Sequence, residues 1–73
     1  MNDRITILIA DRNSHVRMFL MRELMAEGYR VILAATAENV LKMVFTRGDI
    51  DLLIIDPHLP GVDAAIILEN LKC

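Results

Sequence analysis

The sequence predicts an α/β fold in three layers, with helices covering both faces of a parallel sheet. Three observations carry this prediction. Short runs of β-branched and aliphatic residues alternate with stretches whose apolar residues recur at helical spacing. Capping residues and glycines bound the helical stretches and leave only short connections. Of the 73 residues, 55% are hydrophobic but only 4% are aromatic, which suits aliphatic elements covered on two faces.

Residues 5–10 (ITILIA) form a nearly continuous apolar run, as expected of a central strand. After Asp11-Arg12-Asn13, Ser14 is the expected N-cap of a first helix. Val16, Phe19, Leu20 and Leu24 mark that helix's apolar positions, and Gly28 supplies its stop. Residues 29–35 (YRVILAA) contain a second β-prone run, and Thr36 is the expected N-cap of a second helix. Val40, Leu41, Val44 and Phe45 share one face of this helix, which should end near Gly48. Residues 52–56 (LLIID) form the third strand. Leu59-Pro60-Gly61-Val62 reads as a turn, and Asp63 caps a last helix running through Ile66, Ile67 and Leu71. The order is βαβαβα, and each crossover should be right-handed.

A chain this short forms one domain and buries roughly 60% of the surface its unfolded form exposes. Its stability margin should be thin, so an oligomer or another support is expected. The single cysteine, Cys73, permits no internal disulfide. As the last residue it does not occupy the prenylation position, fourth from the end, and it reads as a free thiol. Eight Lys and Arg against ten Asp and Glu give a net charge of -2, which supplies no field for steering toward nucleic acid or an anionic membrane. The first strand is too short to span a bilayer, and the polar residues after it form no signal-peptidase site. A cytoplasmic location is expected.

Asp11 follows the first strand and Asp56 closes the third. If those strands are neighbours, both carboxylates reach the same carboxyl edge, where open α/β sheets bind ligands. Taken singly, each aspartate also suits the start of a polar loop or a helix cap. Crowding like charges at one edge favours a site that uses a cation or phosphoryl chemistry.

The segments ILIADRNSHVR, Gly28-Tyr29-Arg30-Val31, Ala35-Thr36-Ala37-Glu38 and DLLIIDPHLPGVDA together resemble the first three βα units of a response-regulator receiver domain. The most specific pattern is a hydrophobic strand, Asp, two residues, Leu-Pro, two residues, Asp. This resemblance covers the whole chain. It implies a truncated flavodoxin-like receiver fold with strand order 2-1-3 and makes residues 1–73 a partial receiver domain. It also implies a phosphoacceptor module of two-component phosphorelay signalling, not an enzyme. Asp56 matches the aspartate that accepts a phosphoryl group, its carboxylate acting as nucleophile. The implied partner is a histidine kinase or a phosphotransfer protein.

The same resemblance implies a Mg²⁺ site built from Asp11, Asp56 and the backbone carbonyl of His58, since Mg²⁺ prefers octahedral oxygen ligands. Arg12 stands where the family carries a second acid. A guanidinium cannot ligate a cation, so Mg²⁺ binding is expected to be weak. Arg12 either pairs with Asp56 or Asp11 in place of the ion's charge, or points to solvent. The family's hydroxyl residue on strand four and lysine on strand five fall beyond Cys73, which removes the groups that transmit the phosphorylated state.

Two readings therefore stay open: a phosphoacceptor module, or a non-phosphorylatable pseudo-receiver acting in dimerisation or protein interaction. An exposed third-strand edge would recruit a partner, and a two-fold homodimer across it is expected. His15 and His58 lack the ligand spacing of a zinc site and read as loop residues. No Cys-His, Ser-His or Gly-rich phosphate motif supports an unrelated hydrolase or nucleotide-binding enzyme. Met18, Met21, Met25 and Met43 are expected to fill core gaps or cover a contact surface.

Overall fold

Five consecutive buried residues, Thr6–Ala10, make β1 the spine of the molecule. The computed structural model describes residues 4–61. In chain order the remaining elements are α1 (Ser14–Ala26), β2 (Arg30–Ala34), α2 (Ala37–Thr46) and β3 (Leu52–Ile55). The last helix expected after Asp63 lies outside the described residues.

The three strands form one sheet of order β2-β1-β3, with both pairings parallel. Parallel neighbours need crossovers, and the helices supply them. The first crossover moves from β1 to one side and the second passes back over β1 to the other. Right-handed connections therefore put α1 and α2 on opposite faces. That arrangement explains why β1 reads as an unbroken apolar run: both of its faces are covered. Leu8 and Ala10 join Ala34, Ala37, Val40 and Leu59 in one buried cluster on the α2 side. Ile7 and Ile9 alternate to the opposite face and are equally buried.

Each helix start follows from a short polar side chain. Thr36 has extended backbone and its hydroxyl accepts from Asn39 N–H at 3.2 Å, as its place before α2 predicts. At α1 the expected cap moves by one residue. Asn13, not Ser14, is the N-cap, and its Oδ1 accepts from the N–H groups of His15 (2.8 Å) and Val16 (3.2 Å). An amide oxygen reaches two orphan donors here, while Ser14 becomes the first helical residue.

The end of α1 is a Schellman turn. Gly28 N–H donates to the Met25 carbonyl and Tyr29 N–H to the Leu24 carbonyl, which requires the left-handed backbone that Gly28 adopts at φ +96°.

Two expected core faces are narrower than their spacing suggests. In α2, Val40 is buried and Leu41, Met43 and Val44 pack against the cluster, but Phe45 is 68% exposed. In α1 no residue is fully buried, and Val16 and Phe19 lie outward while Leu20 and Leu24 are half-buried. A helix covering so small a sheet has room to seat only part of its apolar stripe. Conversely, Leu59, expected in a turn, is a core residue at 5% exposure. Its loop is held down by a hydrogen bond from Ala37 N–H to the Pro60 carbonyl (2.9 Å). Gly61 approaches so closely there that an added Cβ would meet Ala37 Cβ at 3.4 Å.

Candidate functional site

The strand register sets the site. Ala10 pairs with Ala34 on one side and Ile55 on the other, so the three strands end level. The residues that follow leave together at the carboxyl edge. Asp56 N–H donates to the Ala10 carbonyl (2.8 Å) and Asp11 N–H to the Ala34 carbonyl (3.2 Å), each extending its ladder by one bond. Asp11 and Asp56 therefore stand at one rim, as their positions after adjacent strands predict.

At the other end of β1, Asp51 fixes the register that makes this possible. Its N–H donates to the Thr6 carbonyl and its Oδ2 accepts from Thr6 N–H, both at 2.8 Å. The spacing of the sequence gives little warning of this clamp, because an aspartate before a strand is as common in plain loops.

Asp56 is largely enclosed, its side chain 11% exposed, whereas Arg12 is 57% exposed. Arg12 Nε lies 3.3 Å from Asp56 Oδ2, and the Arg12 backbone N–H points to the same oxygen at 3.5 Å. Asp56 Oδ1 accepts from His58 N–H at 2.9 Å. Of the alternatives left open by the sequence, Arg12 thus pairs with Asp56, not with Asp11 or solvent.

These contacts hold the Asp56 carboxyl below its ordinary value. The His58 N–H contributes most, partial burial opposes it, and the N–H and charge of Arg12 add to the lowering. Asp11 faces a different set of partners: its Oδ1 accepts from Asn13 N–H (2.8 Å), and its carbonyl accepts from Arg17 Nη1 (2.7 Å). Arg17, one turn into α1, is a supporting residue that the motif alone does not disclose.

His58 lies in the turn after β3, as expected. His15 does not lie in a loop: it falls in the first turn of α1, because the cap is Asn13. With Met18, Phe19, Met21, Arg22 and Met25 it lines an open, largely apolar groove along that helix. Met43 instead packs against the core, one of the two roles expected of the methionines.

Whether this donor set suits Mg²⁺ can be judged from its chemistry. Among the described residues no group of three or more His, Cys, Asp or Glu side chains is arranged to hold a metal ion. Both Asp56 oxygens and one Asp11 oxygen already accept N–H groups, and the cation touching Asp56 is a guanidinium. An ion demanding six oxygens in octahedral array fits this set poorly.

Among the described residues no helix is long and apolar enough to cross a membrane. No family model matches the chain and no solved structure does. Similar curated proteins include the probable transcriptional regulator ycf27 of Cyanidium caldarium, 33% identical over 66 residues. That match covers 90% of this chain and 26% of the relative. The sensory/regulatory protein RpfC of Xanthomonas campestris pv. campestris is 35% identical over 66 residues, 90% of this chain and 9% of its own length. Sporulation initiation phosphotransferase F of Bacillus subtilis is 35% identical over 72 residues, 99% of this chain and 56% of its own length. The chain thus spans 9% to 56% of the length of these relatives. Taken with the parallel β2-β1-β3 sheet and the two aspartates at its carboxyl rim, these similarities are consistent with a receiver domain of the response-regulator type.

Proposed function

We propose that the chain is a receiver module of two-component phosphorelay signalling in which Asp56 accepts a phosphoryl group from a histidine kinase or a phosphotransfer protein. The observation that carries this reading is the placement of Asp56 at the end of β3, beside the strand that leads into Asp11. A carboxylate oxygen of Asp56 attacks the phosphorus of a phosphohistidine, the P–N bond breaks, and the imidazole nitrogen keeps the electron pair. The names of two similar proteins, a sensory/regulatory protein and a sporulation phosphotransferase, support this chemistry. On this reading the module acts in the cytoplasm, as a signalling element and not an enzyme, and makes no direct contact with nucleic acid.

A second reading is favoured by one specific contact. The Arg12 pairing leaves Asp56 with both oxygens engaged, which suits a pseudo-receiver acting as a dimerisation or protein-interaction unit. Incubating the full chain with an acyl phosphate and reading its intact mass separates the two. One added phosphoryl group, absent in Asp56→Asn, is expected of the acceptor; an unmodified chain favours the pseudo-receiver.

Either reading leaves β3 at a sheet edge among the described residues, with its first residue, Leu52, half exposed. We assign that edge to a second copy of the chain, because two β3 edges related by a two-fold axis pair antiparallel without further segments. Light scattering across a dilution series should show a dimer giving way to a monomer; a monomer at every concentration contradicts the assignment.

A further inference from the structure

The cation beside Asp56 is part of the chain. Arg12 meets Asp56 Oδ2 twice, through Nε at 3.3 Å and through its backbone N–H at 3.5 Å. The backbone contact places residue 12 beside Asp56 whatever its side chain, and the side chain then decides which charge the pocket holds. With an acid there, three carboxylates would converge and require an external cation. With a guanidinium, a positive charge is delivered on a covalent tether, and a divalent ion entering the same pocket would meet it at close range. Repulsion between like charges at such distances is costly even near a protein surface. We propose that Arg12 is the resident cation of this site, replacing a divalent metal ion, so that the pocket is built to work without Mg²⁺.

This inference concerns the pocket identified above but not its acceptor role, and its test uses no phosphodonor, so the two can fail separately. A nearby anionic phosphoryl group would find its countercharge in Arg12, whose planar fork of donors suits phosphate oxygens. Because Arg12 is 57% exposed, its side chain has room to exchange one oxygen partner for another.

The test is a MgCl₂ titration of the full chain, followed through the backbone amide resonances of residues 12, 13 and 58, with NaCl added to equal ionic strength as the reference. The wild-type chain should show no saturable shift through the millimolar range. Arg12→Asp should acquire saturable binding within the millimolar range. Arg12→Gln removes the charge without adding a ligand and should gain weak but saturable binding, which keeps the test open if the aspartate variant does not fold. Saturable Mg²⁺ binding by the wild-type chain overturns the proposal. So does an Arg12→Asp or Arg12→Gln variant that folds yet stays as indifferent to Mg²⁺ as wild type.

Discussion

Arg12 Nε lies 3.3 Å from Asp56 Oδ2, at the rim where β1 and β3 end level. Strand register brings the two residues together, and register in turn follows from burial. A slip of one residue would turn Thr6, Leu8 and Ala10 toward the opposite face and mismatch the packing on both sides of β1. The core and the site are thus set by the same pairing.

Stability should depend on pH through Asp56. Its carboxyl is held below the ordinary value, chiefly by the His58 N–H and further by Arg12. A group depressed in the folded state contributes stability that is fully present above its unfolded value, near 4, and is lost as pH falls through the folded value. The melting temperature of wild type relative to Asp56→Asn should therefore fall as the solution is taken from neutral pH to below about 4. A difference that stays constant across that range would remove Asp56 from the acid response.

The cap of α1 gives a second check. Asn13→Ala removes the acceptor of two backbone donors and should cost about 1 kcal/mol. Ser14→Ala, one residue on, should change stability by less than about 0.5 kcal/mol. Equal losses in urea unfolding, or a reversed order, would return the cap to Ser14.

Packing supplies a third. Leu8 is fully buried at the centre of the sheet, and Leu8→Ala should cost about 2–5 kcal/mol, enough to unfold much of a chain with so small a core. Phe45→Ala should stay within about 0.5 kcal/mol despite the larger side chain, because Phe45 is mostly exposed. Denaturant midpoints measure both, and a large loss at Phe45 would show that a partner copy covers it.

Much of this architecture was legible in residue patterns, and the exceptions have physical reasons. The unbroken apolar run of β1 identified a strand covered on both faces, and the positions of Asp11 and Asp56 after strands one and three placed them at one edge. Thr36 was readable as a cap because nothing nearby competes with it. Asn13 and Ser14 do compete: both side chains cap well, and only backbone geometry chooses between them. Phe45 and Val16 follow helical spacing yet lie outward, since periodicity gives a face but not how much sheet lies beneath it. Leu59 inverts the case, a loop residue made part of the core by Pro60 and Gly61 folding back onto α2. The pairing of Arg12 with Asp56 was one of several options on charge alone, and it took the level strand ends to select it.

The acceptor assignment is tested most directly by finding where a phosphoryl group is attached. After treatment with an acyl phosphate, borohydride reduction converts an aspartyl phosphate to homoserine, and peptide mapping then reads the position. Homoserine at position 56, with aspartate retained at 3, 11, 49, 51 and 63, is the predicted result. Conversion at any of those other positions in place of 56, or at none, would contradict the account.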